Sequence, residues 1–289
     1  MKKLRIVLWI LALVAAVALA GASWFLARRL IPTPQVAIVY VDQDLYESYT
    51  NLIGQTLEEL GSDGAVRAVV IDITSPGGGV TASESLYYDI LALRDQVPVV
   101  VSMGELVASG GYYVSAAADR IFAKPTSLVG NIGVISYAPD PDLVDEMLIT
   151  TGPFKLTGGT ATEWTRQMET LKNTFLAAVL AQRADRLTVP AETLARGELY
   201  IGLDAEQMGL VDELGSRADA IEAAAEMAGI TRYDVVDRTP ELPAEDLGLF
   251  LGKTGAEPAD AESAAPGAVP SQPGRLAPGI YYLYLQPGQ

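Results

Sequence analysis

The 289-residue chain contains neither histidine nor cysteine. Without an imidazole no serine can be activated through a Ser-His-Asp arrangement, so a nucleophile here must take its base from a lysine, a carboxylate or an amine, with lysine the leading candidate. Without a thiol there are no disulfides, thiol nucleophiles or thiolate metal sites, which leaves only carboxylate-type metal sites open. Neither a metal nor a cofactor is expected. Positive charge is scarce as well: 20 Lys and Arg face 36 Asp and Glu, for a net charge of -16 and a pI near 4.4. Lysine occurs only at positions 2, 3, 124, 155, 172 and 253. That balance excludes nucleic acid as a partner. The acidic excess, part of it gathered at Glu241, Glu245, Asp246, Glu257, Asp260 and Glu262, reads as a solubilising surface or as adaptation to high salt, where screening removes its self-repulsion.

What the chain does have begins at its N-terminus. No charge interrupts Ile6 to Ala27, a run that rises roughly 33 Å as a helix and is long enough to cross a hydrocarbon core. Lys2, Lys3 and Arg5 precede it and Arg28 and Arg29 follow. With the terminal amine, the positive excess favours a cytoplasmic N-terminus and an extracytoplasmic bulk. Ala18-Leu19-Ala20 also resembles a signal-peptide cleavage site, but the apolar run continues through Trp24, Phe25 and Leu26, which favours a retained single-pass anchor. The expected division is an anchor at 1–34, an α/β domain at 35–238 and a tail at 239–289. The tail is rich in Pro, Ala, Gly and Glu, lacks apolar periodicity, and ends in a strand-former at Tyr281 to Leu285.

Within the central domain, strand-like runs at Val36–Val41, Val66–Ile73, Pro98–Met103, Asp119–Ala123, Ile132–Ser136 and Tyr233–Val236 alternate with helical patterns. The helices are expected at Asp44–Leu60, Thr81–Arg94, 109–118, Asp142–Ile149, Glu163–Arg186 and Ala218–Ala228, the second of them opened by a Thr81/Glu84 capping box. Such alternation implies right-handed βαβ units around a mainly parallel sheet, with sites built at the carboxyl ends of the strands.

Three segments carry chemistry. Thr74-Ser75-Pro76-Gly77-Gly78-Gly79 follows a buried strand, and its glycines can turn amides outward to receive an oxyanion. It is otherwise a tight strand-to-helix turn, and it lacks the Gly-Lys-Ser/Thr ending of a phosphate loop. Ser109 precedes Gly110-Gly111 at a helix start, where a serine is an N-cap or, beside unsatisfied amides, a nucleophile. Gly152-Pro153-Phe154-Lys155-Leu156-Thr157-Gly158-Gly159 sets one lysine among apolar residues and glycines. Desolvation there would lower the lysine's pKa and leave an amine able to take a proton; a solvated surface lysine is the plain alternative. Lys124, before Pro125, is the rival base.

These segments, with Ser102 to Tyr113, Gly130-Asn131-Ile132-Gly133-Val134-Ile135 and the stretch from Leu199 to Asp212, closely resemble the signal peptide peptidase A family of membrane-anchored Ser-Lys proteases over about residues 35 to 230. The resemblance implies a ClpP/crotonase-like spiral of βαβ units behind one N-terminal transmembrane helix. It implies Ser109 as nucleophile, Lys155 as general base, and Gly77, Gly78 and Gly110 as the oxyanion hole. It also implies a homo-oligomeric ring whose dyad is completed across subunits, held on membrane lipid and acting on hydrophobic peptides such as spent signal peptides. The chain departs from the family where Asn131 stands for the serine that orients the lysine and where Leu156 stands for an acidic residue. The Asn131 amide oxygen can still accept a hydrogen bond from lysine. A stomatin-associated membrane protease of the same fold and a catalytically silent peptide-binding scaffold are the alternatives. A crotonase-like acyl-CoA enzyme is disfavoured by the shortage of basic residues for the CoA phosphates.

Overall fold

The computed structural model describes residues 2–30, 33–136, 151–242 and 280–283. The N-terminal segment is one 29-residue helix, α1 (Lys2–Leu30), whose side chains, described from residue 9 to residue 25, are all exposed. Among the described residues no helix is long and apolar enough to cross a membrane.

The α/β domain then runs β1 (Gln35–Val41), α2 (Glu47–Ser62), β2 (Val66–Ser75), β3 (Gly77–Gly79), α3 (Val80–Arg94), β4 (Val99–Ala108), α4 (Gly110–Ser115), β5 (Arg120–Ala123), β6 (Leu128–Gly130) and β7 (Ile135–Ser136). After the undescribed stretch 137–150 come α5 (Ala161–Arg183), α6 (Ala191–Leu194), β8 (Leu199–Ile201), α7 (Gly202–Gln207), β9 (Glu213–Leu214), α8 (Arg217–Met227) and β10 (Asp234–Asp237). A last strand, β11, is formed by Ile280–Leu283.

The main sheet has the order β10-β1-β2-β4-β5-β9, parallel along that path. Its inner strands β1, β2, β4 and β5 are largely buried, as their apolar, β-branched sequences require, while the edge strands β10 and β9 are not. Alternation divides the core: Ala37, Val39 and Val41 face the layer that also holds residues of α2, α3, α4 and α5, while Val36 and Ile38 face the alanines of α8. Along β4 the sheet forks, because Val100–Met103 pair with β5 and Leu106–Ala108 with β6. On this second branch β6 takes β8 as an antiparallel neighbour. The chain leaves β4 into the site at the end of the same branch.

A second, smaller sheet has the order β3-β11-β7, antiparallel on both sides. The C-terminal strand-former expected from the sequence is therefore a strand, seated on the Gly-rich turn. The expected strand at Ile132–Ser136 shortens to β7, while β4 extends beyond Met103 to Ala108. The Thr81/Glu84 capping box is not used: α3 starts at Val80 after Gly79, with no side-chain cap. The expected helix at Asp142–Ile149 lies outside the described residues.

Candidate active site

Ser109 joins β4 to α4 in a sharp turn with φ 53° and ψ -120°, a region that costs a non-glycine residue about 1–3 kcal/mol and that surrounding structure must impose. Two ties impose it: the Ser109 amide donates to the Gly130 carbonyl (2.8 Å), and the Tyr113 amide donates to the Ser109 carbonyl (2.9 Å). Behind the turn, the Tyr112 hydroxyl donates to the Leu210 carbonyl (2.9 Å). Tyr113 packs between Tyr87 of α3 and Phe175 of α5. The helix that follows the turn is thus held by side chains from α3 and α5 and by the chain at Leu210. Ser109 is 1% exposed and its side chain makes no capping hydrogen bond, so the ordinary N-cap use of a serine is not realised here.

The Gly-rich segment lies directly against this turn. A Cβ on Gly110 would collide with Ser83 Oγ and come within 3.3 Å of Gly77 Cα and Gly78 N, so only glycine permits the approach. A Cβ on Gly78 would run into the backbone of Leu45, whose amide donates to the Gly77 carbonyl and whose carbonyl accepts from Gly79 N. The three glycines of the expected oxyanion hole are therefore together. The Gly77 amide donates to Ser75 Oγ (3.2 Å), because the buried Ser75 hydroxyl needs a partner. Gly110 lies against Gly77 and Gly78, and Gly78 is itself paired with Tyr282 of β11.

Asn131 is at the edge of the same turn, one residue after the Gly130 carbonyl that holds Ser109. Its backbone takes a positive φ of 55°, its amide donates to Glu198 O (2.8 Å), and its Nδ2 donates to Gly197 O (2.8 Å). The side chain expected to support the lysine is therefore engaged with the chain just before β8.

Lys155 stands in a loop ahead of α5. That loop is folded by bonds from Gly158 N to Phe154 O (2.7 Å) and from Trp164 Nε1 to Thr157 O (2.7 Å), and it leads to the Thr160 cap that accepts from Glu163 N. The lysine is exposed, as are Phe154 (51%) and Leu156 (38%) beside it. The desolvated setting expected from the sequence is thus not provided within one chain, since the apolar neighbours of Lys155 face outward with it. Lys124 is exposed too, and its Nζ donates to the Met103 carbonyl (3.3 Å). No group of acidic side chains able to hold a metal occurs among the described residues.

Sequence reading missed two features. Ser83, whose Oγ lies against Gly110, carries no motif of its own. Arg183 is fully buried in α5 and grips Asp212 through its two terminal guanidinium nitrogens (3.0 and 2.9 Å) and Gly209 O through Nε (2.9 Å). This pair locks α5 to the segment that anchors Tyr112, and the Leu199-to-Asp212 stretch gave a partial signal of it.

Comparison with known proteins agrees with the motifs. Peptidase family S49 matches residues 92–231. A candidate protease of Methanocaldococcus jannaschii is 31% identical over 283 residues, covering 86% of this chain and 90% of that one. Protease 4 of Salmonella typhi is 31% identical over 222 residues, covering 68% of this chain; this chain spans only 35% of that longer protein. Among solved structures, a point mutant of ClpP1 from Listeria monocytogenes is similar with a TM-score of 0.46 and 15% identity, covering 64% of this chain and 94% of that one. Matched along nearly its whole length by a relative of that identity, the chain belongs to peptidase family S49, the signal peptide peptidase A family whose motifs it carries, and is by that membership a protease.

Proposed function

We propose that the chain is a membrane-anchored serine endopeptidase that cleaves hydrophobic peptides, spent signal peptides among them, with Ser109 as nucleophile and Lys155 as general base. One observation carries this reading: Ser109 is held buried at positive φ, its hydroxyl is not spent on capping, and the Gly110 that follows it lies against Gly78, the amides of these two glycines being the oxyanion donors in this reading. Strain of that kind at a strand-to-helix turn presents a nucleophile to a bound carbonyl. In the reaction, the neutral Lys155 amine takes the Ser109 proton as Oγ attacks the peptide carbonyl. The two amides receive the oxyanion, and the lysine returns the proton to the leaving amine. Water, activated by the same amine, then releases the acyl group.

Lys155 reaches Ser109 from a neighbouring subunit in this reading. Its exposure, with Phe154 and Leu156 as an apolar border, suits a position that a second copy covers. The run from Ile6 to Ala27 supports a single-pass anchor with a cytoplasmic N-terminus and the protease domain outside.

The antiparallel pairing of Ile280–Leu283 with β3 and β7 favours a peptide substrate bound as an added strand. It also supports the tail as an intramolecular competitor for that seat.

The test is hydrolysis of hydrophobic peptides by the purified full chain. Ser109→Ala and Lys155→Ala are each expected to abolish it, because a dyad fails as a unit, while Lys124→Ala retains it. Normal turnover in Lys155→Ala with loss in Lys124→Ala contradicts the assignment of the base.

A further inference from the structure

Ser83 carries a buried hydroxyl that the fold does not use. It is the fourth residue of α3, 0% exposed, and its Oγ has no hydrogen-bond partner among the described residues. A helical serine or threonine usually returns its hydroxyl to the carbonyl four residues back. Thr56, Ser115, Thr165, Thr170 and Thr174 all do so in this chain. Ser83 does not. Its Oγ instead fills the place a Cβ would take on Gly110, inside the contact that sets Gly110 against Gly77 and Gly78. An unpartnered buried hydroxyl destabilises a fold, so its presence at this spot points to a use other than folding.

We propose that Ser83 is a positioning residue of the oxyanion pocket. Its oxygen fixes Gly110 against the Gly77–Gly78 turn, and its hydroxyl dipole, uncommitted in the resting enzyme, orients to the negative charge that develops beside the Gly78 and Gly110 amides. This rests on the reading of Ser109 as nucleophile. Because the charge exists only during reaction, the hydroxyl contributes to turnover and not to peptide binding. A side chain present only to fill space would have the opposite signature.

The experiment measures kcat, KM and Tm for Ser83→Ala and Ser83→Cys in the full chain, with kcat normalised by titrating competent sites with a serine-reactive phosphonate. Ser83→Ala is expected to lower kcat about tenfold to hundredfold, to leave KM unchanged, and to leave Tm equal or higher because an uncompensated polar group is gone. Ser83→Cys, which keeps a weak donor at similar size, falls between. Unchanged kcat, a rise in KM alone, or a fall in Tm accompanying the loss overturns the proposal, the last by marking a packing role. If Ser109→Ala is inactive while Ser83→Ala matches wild type, only the Ser83 proposal fails. If wild-type hydrolysis does not depend on Ser109, the nucleophile assignment fails and takes this proposal with it.

Discussion

Gly110 sets the tolerance of the site, since it must pass Gly77, Gly78 and Ser83 with no room for a methyl group. Gly110→Ala is therefore expected to fold, by small shifts around the turn, but to lose about 10²- to 10³-fold in kcat as Gly110 is pushed away from Gly78. Near-normal turnover in that variant would mean the amides of these glycines are not where charge is stabilised. Much of this residue-scale picture was legible in the sequence. Ser109 is singled out by the family motifs around it, since a serine at a helix start taken alone reads equally as an N-cap. Its backbone strain is not legible there, because it depends on the Gly130 carbonyl, a partner remote in sequence. The engagement of the Gly77 amide by Ser75 was hidden because a loop's sequence does not say which of its amides turn inward. The exposure of Lys155 was hidden because apolar neighbours in sequence do not reveal which way a loop faces.

At the scale of elements, the long parallel strands were legible because continuous β-branched runs have few other uses, whereas β3, β6, β8 and β9 are too short to show any period. Helix contacts were less legible. Gly54 of α2 lets the Asp89 carboxyl of α3 come close to its backbone, and burial, with a smaller contribution from Glu58, raises the Asp89 pKa above the ordinary carboxylate value. A carboxyl raised in the folded state binds its proton more tightly there than in the unfolded chain. Its cost is therefore fully present at neutral pH and is relieved as the pH falls through the raised value toward the unfolded one. Asp89→Asn is expected to raise Tm at pH 7 and to flatten the gain in Tm between pH 7 and the carboxylate range. An Asn variant less stable than wild type at pH 7 contradicts this account of the α2–α3 contact.

At the scale of the whole molecule, a strand of the tail, Ile280–Leu283, is seated between Gly77–Gly79 and Ile135–Ser136, and the turn at Ser109 and Gly110 lies against the same glycine segment. The tail's strand character was legible from its aromatic and aliphatic residues, but its seat on β3 was not, since a short strand-former does not name its partner. Removing residues 276–289 is expected to lower KM for added peptides, and wild type is expected to show a trimmed C-terminus absent from Ser109→Ala. Unchanged KM with identical C-termini in the two proteins removes the tail from the active-site groove. The central claim is that Ser109 is the nucleophile, and its most direct measurement is covalent labelling of the full chain by a serine-reactive phosphonate, with the adduct mapped by mass spectrometry. The account predicts a single adduct on Ser109 that forms in step with loss of hydrolysis and is absent from Ser109→Ala. An adduct on another residue, or hydrolysis that persists in Ser109→Ala, contradicts it.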